Sequence, residues 1–296
     1  MTKNRGFFGS CERSPAHSMT KHLIVIGDSF SMYELEDKSV QLIVTSPPYF
    51  NVKNYEVENI GSIDSYSLYL KSLRQIFQEC YRVLADGRYI CVNVSDVISN
   101  KKKYPIPAHC ISILQRCGFK YIDDIIWKKP SGRKSGKCSG AAKRFGLLIQ
   151  HPYPMYYYPN VVYEHILVFR KDDFDFKSVT LAKKEKSKID IRYAKLHWST
   201  NVWEMMPETR KGHPAMFPEA LPRALIELYS FRDDTVLDPF LGSGTTTKAA
   251  YDLGRNSVGY EINNGYLEAI KKKVNFSKEP DSFKIINRKR GETCEL

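Results

Sequence analysis

The sequence lacks the motifs that mark several common classes of enzyme and metal protein. Its seven cysteines form no CxxC pair, and its seven histidines show no HxH or HExxH spacing, so no metal site is predicted. The serine-hydrolase motif GxSxG and the phosphate-binding loop GxxxxGK(S/T) are also missing. Seven cysteines at irregular spacing favour reduced, buried thiols in a cytoplasmic protein over a disulfide framework.

Long apolar segments are lacking as well. No run approaches the roughly 18 to 20 residues that a membrane-spanning helix needs, so no contact with a membrane is expected. Residues 1–20 are polar, carry no apolar stretch typical of a secretory signal, and are predicted to form a flexible N-terminal segment. Apolar residues make up 42% and charged residues 26% of the 296-residue chain, which excludes wholesale disorder and coiled-coil architecture.

Negative charge is scarce in the middle of the chain. The whole sequence has 45 basic and 33 acidic residues, and this net charge of +12 indicates a polyanionic partner such as nucleic acid. Residues 101–150 hold twelve Lys and Arg against only Asp123 and Asp124, whereas residues 21–60 and 201–260 are slightly negative. Glycines lie among these basic residues, as is typical of a segment that contacts phosphates; a solvated basic loop is the alternative.

Strand and helix patterns alternate along the chain, which predicts an α/β fold around a parallel sheet. Apolar side chains recur at spacings of three and four from residue 65 to residue 84, and this pattern predicts an amphipathic helix. Buried strands are predicted at residues 22–26 and 40–44, and further strands at residues 88–94, 121–127, 161–169, 235–238 and 257–260. Further helices are predicted at residues 106–117, 218–229 and 245–253 and from about residue 263.

A glycine-containing turn follows the predicted strand at residues 235–238. The sequence DPFLGSGT at residues 238–245 connects this strand to a helix, so a ligand could approach the N–H groups at the start of the helix. Glu261 ends the next strand, nineteen residues after Gly242, where a carboxylate can accept the hydroxyl hydrogens of a ribose. An ordinary tight turn with a surface glutamate is the alternative, because one GxG turn is weak evidence.

A second motif, Ser46-Pro47-Pro48-Tyr49, follows the predicted strand at residues 40–44. The prolines fix the backbone, so the Ser46 hydroxyl and the Pro47 carbonyl can accept hydrogen bonds from one NH2 group, while Tyr49 offers a ring face. Such acceptors would hold the amine hydrogens of cytosine or adenine out of the ring plane and make the nitrogen more nucleophilic. A Pro-Pro turn with a purely structural role is the alternative.

Together these motifs resemble those of the amino-methyltransferases of restriction-modification systems, which methylate DNA bases with S-adenosyl-L-methionine. The loop that contains Ser46-Pro47-Pro48-Tyr49, named the catalytic loop from its counterpart in the family, precedes the basic region. The glycine turn at residues 238–245, the counterpart of the family's cofactor loop, comes last. This is the permuted order of the β class of the family. The resemblance therefore implies a Rossmann-like S-adenosylmethionine-dependent methyltransferase sheet, circularly permuted, with a small basic target-recognition insert. It extends from about residue 23 to residue 273 and includes the stretches at residues 26–29, 126–128, 163–169 and 212–218.

The resemblance also implies roles for individual residues. In this family a serine before Pro-Pro-Tyr usually marks methylation of cytosine at N4, and an aspartate marks adenine at N6, so the expected target is N4 of a cytosine flipped out of duplex DNA. The implied catalytic residues are Ser46, Pro47, Pro48 and Tyr49. The residues expected to bind the cofactor are Asp28, His213, Phe217, Asp238, Pro239, Phe240, Gly242, Gly244, Thr245 and Glu261. The residues expected to bind DNA are Arg133, Lys134, Lys137, Lys143 and Arg144.

The resemblance finally implies a division of the chain and a set of partners. Residues 21–130 form the catalytic half, 131–200 the target-recognition region, 201–275 the cofactor-binding half and 276–296 a C-terminal tail. The expected partners are double-stranded DNA and a cognate restriction endonuclease, with the protein acting as a monomer or a homodimer. Methylation of adenine at N6, an RNA substrate, and a DNA-binding protein that has lost catalysis remain as alternatives.

Overall fold

The computed structural model has one large sheet at its centre, covered by helices on both faces. Backbone and side chains are described for residues 20–51, 59–99, 102–129, 161–206, 218–274 and 282–288, and the backbone alone for residues 208–210 and 213–216. Apart from Thr20, the predicted flexible segment at residues 1–20 therefore lies outside the described residues.

The secondary structure alternates between strands and helices, as the sequence predicts. The strands are β1 (His22–Ile26), β2 (Val40–Thr45), β3 (Leu84–Val94), β4 (Val97–Ser99), β5 (Lys102–Tyr104), β6 (Lys120–Lys128), β7 (Tyr163–Arg170), β8 (Val202–Glu204), β9 (Glu208–Arg210), β10 (His213–Met216), β11 (Thr235–Asp238), β12 (Asn256–Glu261) and β13 (Phe283–Asn287). The helices are α1 (Tyr66–Val83), α2 (Ile106–Arg116), α3 (Leu181–Lys186), α4 (Ile191–His197), α5 (Ala220–Tyr229), α6 (Thr245–Asp252) and α7 (Leu267–Lys273).

Nine strands form the central sheet in the order β13-β1-β12-β11-β2-β3-β7-β6-β8. All pairs from β13 to β3 are parallel, as is the pair of β6 and β8, but β7 runs antiparallel to both β3 and β6. The predicted α/β fold is confirmed, and the sheet is mostly rather than wholly parallel. Because β6 ends where β7 begins, residues 129 and 161 both lie at the carboxyl edge of the sheet, where the Lys129 amide donates to the Val162 carbonyl at 2.8 Å.

Helix α1 illustrates how the sequence determines this packing. The Ser65 side chain caps its N-terminus by accepting a hydrogen bond from the Leu68 amide, and Leu84 ends it in extended conformation. Its apolar face, which includes Leu73 and Phe77, is buried against the sheet together with α2. Each such side chain contributes about 1.5–3 kcal/mol to stability through burial. Helices α5 and α6 cover the opposite face of the sheet.

Three features of the sheet differ from the sequence predictions. Strand β3 begins at Leu84, four residues before the start predicted at residue 88. Strand β13 lies in the segment expected to be a tail and pairs with β1. Strand β7, in the segment grouped with target recognition, lies inside the central sheet between β3 and β6. A local apolar pattern does not encode strand direction or partner, which explains these differences.

Two further findings concern burial. Of the helices in the described ranges, none has both the length and the apolar character needed to cross a membrane. Cys80, Cys91 and Cys110 are buried free thiols, and Cys117 is half-buried.

Candidate active site

Four neighbouring parallel strands, β1, β12, β11 and β2, bring the predicted motifs to one edge of the sheet. Their carboxyl ends lead into Gly27-Asp28, Ile262-Asn263, the turn at residues 239–244 and Ser46-Pro47-Pro48-Tyr49, respectively. Segments 194 and 235 residues apart in the sequence thus lie side by side, at the edge where open α/β sheets bind their ligands.

The two glycines of the turn have different surroundings. Gly242 (φ 55°) and Gly244 (φ 83°) both adopt the left-handed conformation that favours glycine. A Cβ atom added to Gly242 would meet nothing within 4 Å, whereas one added to Gly244 would lie 3.2 Å from Cγ2 of Ile270 in α7. Gly242 therefore borders open space that a ligand can occupy, and Gly244 permits close packing at the start of α6.

Glu261 lies beside this open space at the end of β12. Its side chain is 8% exposed, and its two carboxylate oxygens accept hydrogen bonds from the amides of Gly242 (2.7 Å) and Asn263 (2.8 Å). Burial raises the pKa of Glu261 to about 7 in spite of these two donors. Each oxygen keeps a second acceptor position, so the carboxylate can also bind two hydroxyl groups. These residues fit the ribose of a nucleoside cofactor.

Asp238 connects the glycine turn to the end of β2. It is 1% exposed, and its carboxylate accepts hydrogen bonds from the hydroxyls of Thr45 (2.8 Å) and Thr246 (2.6 Å) and from the Phe240 amide (3.1 Å). Burial raises its pKa to about 6. Since Thr45 immediately precedes the catalytic loop and Thr246 lies in α6, Asp238 holds these two segments together through protein donors.

The other predicted cofactor residues are placed as follows. Pro239 is buried and Phe240 half-buried, while the Thr245 hydroxyl lies 2.7 Å from Nζ of Lys273 in α7. Asp28 is buried after β1, and burial raises its pKa. The backbone of His213 lies in β10 without a described side chain, and Phe217 lies outside the described residues.

Arg288, just after β13, is a residue that the sequence analysis missed. Its side chain is 1% exposed and donates to the carbonyls of Asp28 (2.9 Å) and Ser31 (2.6 Å). It also forms a two-nitrogen pair with Glu34 (2.9 and 2.7 Å), and its guanidinium lies 4.4 Å from the centre of the Tyr33 ring. Arg288 therefore fixes the loop that carries Asp28. No local pattern in the predicted tail marks this residue.

The catalytic loop is anchored from the α1 side of the sheet. The Pro48 carbonyl accepts a hydrogen bond from the Tyr69 hydroxyl at 3.0 Å, and the Asn51 amide donates to the Gly61 carbonyl at 2.8 Å. Phe50 is buried against the rings of Tyr66, Tyr69 and Tyr104, at centroid distances of 5.1, 5.5 and 5.0 Å. The loop is thus held by its backbone and by Phe50.

The side chains of Ser46 and Tyr49 are both half-buried at the carboxyl edge. Within the described part of the chain, no other residue donates a hydrogen bond to the Ser46 hydroxyl. The Tyr49 hydroxyl donates to the Glu164 carboxylate at 2.8 Å, and Nζ of Lys129 lies 2.6 Å from the same carboxylate. Glu164 is a second residue whose role the sequence did not indicate, although it lies in one of the family-like stretches.

The five basic residues expected to bind DNA, Arg133, Lys134, Lys137, Lys143 and Arg144, lie outside the described residues. The flanking residues Lys129 and Val162 lie at the carboxyl edge, beside Tyr49 and Glu164. In the described ranges, no cluster of three or more His, Cys, Asp and Glu side chains is arranged to hold a metal ion.

Comparison with known proteins identifies the family of this chain. A sequence model of the DNA methylase family matches residues 40–272. The chain is 34% identical to the type II methyltransferase M.MjaI of Methanocaldococcus jannaschii, over 86% of this chain and 91% of the relative. It is 31% identical to the type II methyltransferase M.MthZI of Methanothermobacter thermautotrophicus, over 86% of this chain and 77% of the relative.

Solved structures share the fold. A putative DNA modification methylase of Thermus thermophilus, TTHA0409, solved in complex with S-adenosyl-L-methionine, aligns with a TM-score of 0.71 and 25% identity over 90% of this chain and 99% of that one. The cytosine-N4-specific PvuII DNA methyltransferase aligns with a TM-score of 0.61 and 19% identity over 90% of this chain and 95% of that one. The chain therefore belongs to the N6/N4 DNA methylase family and is an S-adenosylmethionine-dependent DNA methyltransferase.

Proposed function

We propose that this protein methylates cytosine at N4 in duplex DNA, at a specific recognition sequence. The observation that carries the choice of base is Ser46, which stands before Pro47-Pro48-Tyr49 at the end of β2. The family resemblance associates serine at this position with cytosine N4 and aspartate with adenine N6. The PvuII enzyme, described as cytosine-N4-specific, shares the fold.

The cofactor is proposed to lie along the turn between β11 and α6. Glu261 would accept hydrogen bonds from its ribose hydroxyls, and Gly242 would leave room for it beside the backbone. Asp28 would contribute from the loop that Arg288 fixes. When bound, S-adenosylmethionine supplies an electrophilic methyl group on its sulfonium sulfur.

The target base is proposed to lie against the catalytic loop. The Ser46 hydroxyl and the Pro47 carbonyl would accept hydrogen bonds from the two N–H groups of the amine. These hydrogen bonds would align the nitrogen lone pair with the methyl group. Tyr49 would stack on the base and offset part of the cost of a few kcal/mol of flipping it out of the duplex. The N–C bond would form as the S–C bond breaks, and S-adenosylhomocysteine would leave. The methylated amine would then release one proton to water, because the Ser46 hydroxyl is too weakly basic to keep it. This direct transfer needs no covalent intermediate with the enzyme.

Nucleoside mass spectrometry of DNA from an expressing cell tests the choice of base. We expect N4-methylcytosine. N6-methyladenine instead would refute the assignment from Ser46, and the absence of any methylated base would favour a DNA-binding protein without catalysis. Sequencing of the methylated positions in the same DNA would identify the recognition sequence.

Ser46→Ala tests the proposed role of the hydroxyl. Removing one acceptor from a preorganised site typically costs about 2.7–4 kcal/mol in the chemical step, so we expect a loss of about 100-fold or more in kcat. Cofactor binding, measured by calorimetry, should remain as in the wild type because Ser46 follows β2 and does not lie on the glycine turn. Unchanged turnover would contradict the assigned role.

A further inference from the structure

A buried ion pair lies directly behind the catalytic loop. Glu164 is 7% exposed, and one of its carboxylate oxygens accepts the hydrogen bond from the Tyr49 hydroxyl at 2.8 Å. Its other oxygen lies 2.6 Å from Nζ of Lys129, which is itself 5.1 Å from the centre of the Trp127 ring. Both oxygens of this carboxylate are therefore engaged by protein groups.

The three residues come from different elements of the fold. Glu164 lies in β7, between two neighbouring strands, and faces Trp127 across the ladder with β6. The bond between the Lys129 amide and the Val162 carbonyl continues this pairing beyond the end of β6. Tyr49, by contrast, lies in a loop after β2. The hydrogen bond thus attaches a loop side chain to a carboxylate held by the sheet.

The hydrogen bond between the Tyr49 hydroxyl and Glu164 is strengthened by charge and constrains the Tyr49 ring. A hydrogen bond to an ionised acceptor is roughly twice as strong as one between neutral groups, and Lys129 supplies the opposite charge that a buried carboxylate requires. The hydrogen bond at the hydroxyl fixes the long axis of the Tyr49 ring. Because a phenolic O–H prefers to lie in the ring plane, the carboxylate that accepts it also favours one orientation of the ring faces. The bond to the hydroxyl uses the edge of the ring, whereas a planar base would stack on its π-face.

We propose that Glu164, supported by Lys129, is a positioning residue that orients the Tyr49 ring for stacking on the flipped base. This inference rests on the proposed base-flipping function, but it holds for either cytosine or adenine because both offer a π-face. Glu164 touches neither the base nor the cofactor and acts only through Tyr49.

A double-mutant cycle tests the inference. Tyr49→Phe removes the hydroxyl and keeps the ring, whereas Glu164→Met removes the acceptor and nearly keeps the side-chain volume. Because both variants break the same hydrogen bond, each should lower the single-turnover methylation rate by about tenfold, and the double variant should be no slower than the slower single variant. The matched control is Glu204→Met, since Glu204 pairs with Lys128 on the neighbouring strand pair but is exposed; its rate should be unchanged.

A spectroscopic measurement distinguishes positioning from a general effect on folding. The DNA duplex carries 2-aminopurine at the target position, which is identified from the methylated positions in DNA of an expressing cell. Stacking quenches this fluorophore, so its fluorescence in the complex should rise in Tyr49→Phe and in Glu164→Met. The affinity for S-adenosylmethionine should stay within about twofold of the wild type.

Several results would overturn the inference. A wild-type rate in Glu164→Met, or rate losses that multiply in the double variant, would show that Glu164 does not act through Tyr49. An equal loss of cofactor affinity would assign Glu164 to the stability of the sheet. If Glu164→Met fails to fold, Tyr49→Phe is sufficient for the test, because it breaks the same hydrogen bond and keeps the ion pair of Glu164 and Lys129. An unchanged methylation rate and fluorescence in Tyr49→Phe would refute the positioning role of Glu164. The proposed function is tested separately by mass spectrometry of the methylated base.

Discussion

Glu261 should make cofactor binding depend on pH in the neutral range. Burial raises its pKa to about 7, so near neutral pH a large share of the free protein carries a proton on this carboxyl group. A proton on one oxygen replaces an acceptor with a donor, whereas two ribose hydroxyls need two acceptors. Cofactor binding should therefore select the ionised form and lower the pKa of Glu261 in the complex.

The magnitude follows from the pKa. Below pH 7, each unit of pH should weaken the affinity for S-adenosylmethionine about tenfold, which is about 1.4 kcal/mol per unit, as long as the pKa in the complex lies lower still. Between about pH 8 and about pH 5 the Kd should rise roughly 100-fold. The amide in Glu261→Gln cannot titrate. This variant should therefore bind S-adenosylmethionine more weakly than the wild type at about pH 8, and its affinity should lack the dependence on pH that Glu261 causes.

Isothermal titration calorimetry across this pH range is the appropriate assay, because it gives both the Kd and the number of protons released. The cofactor titrates as well, so the informative quantity is the difference in slope between the wild type and Glu261→Gln. Glu227→Gln is the matched control, since burial also raises the pKa of Glu227, in α5. Its slope should equal that of the wild type. Equal slopes in the wild type and Glu261→Gln would refute the role of Glu261.

Three further predictions concern stability and DNA binding. Arg288→Met should lower the free energy of unfolding by about 3–5 kcal/mol, because the buried Glu34 carboxylate keeps its hydrogen bond from Tyr260 but loses the positive charge of Arg288. The variant should also weaken cofactor binding. Urea denaturation and calorimetry measure these two effects. Burial lowers the pKa of His22 from 6.5 to about 4, so between these pH values only the unfolded chain binds a proton at this residue. The free energy of unfolding should therefore fall by about 3 kcal/mol as the pH is lowered from 6.5 to about 4. Denaturation curves of His22→Gln should lack this contribution. Neutralising Lys134, Lys137, Lys143 and Arg144 should weaken DNA binding without changing cofactor affinity. The slope of log K for DNA against log salt concentration should become shallower by about 0.9 per lost phosphate contact, as measured by fluorescence anisotropy at several salt concentrations. An equal loss of cofactor affinity would mean that these residues have a structural role.

The loop after β2 and the glycine turn could be located from the sequence because each concentrates particular residue types in a short stretch. Two prolines before Tyr49 and two glycines after β11 are visible in the sequence without knowledge of the fold. The predicted helix at residues 65–84 is likewise confirmed as α1, because its apolar face repeats with the helical period.

Contacts between distant segments could not be predicted in this way. Glu164 and Tyr49 lie 115 residues apart, and Arg288 and Glu34 lie 254 residues apart, so no local pattern marks either pair. Strand β13 also escaped prediction, since only Phe283 among its five residues is buried and its apolar pattern is weak. For Asp238, the sequence shows a carboxylate near the turn but not the three protein donors that occupy it.

The position of β1 between β12 and β13 has a consequence for the newly made chain. Its two neighbours in the sheet are translated long after it, and Arg288 emerges 254 residues after Glu34. At about 5–20 residues per second, roughly 13 to 50 s pass between the synthesis of the loop that carries Asp28 and the synthesis of Arg288, which holds that loop. During that interval both edges of an apolar strand are unpaired and open to chaperones or aggregation. We therefore expect nascent chains that have not yet reached β13 to bind no cofactor, so that methylation begins only once translation of the fold is complete.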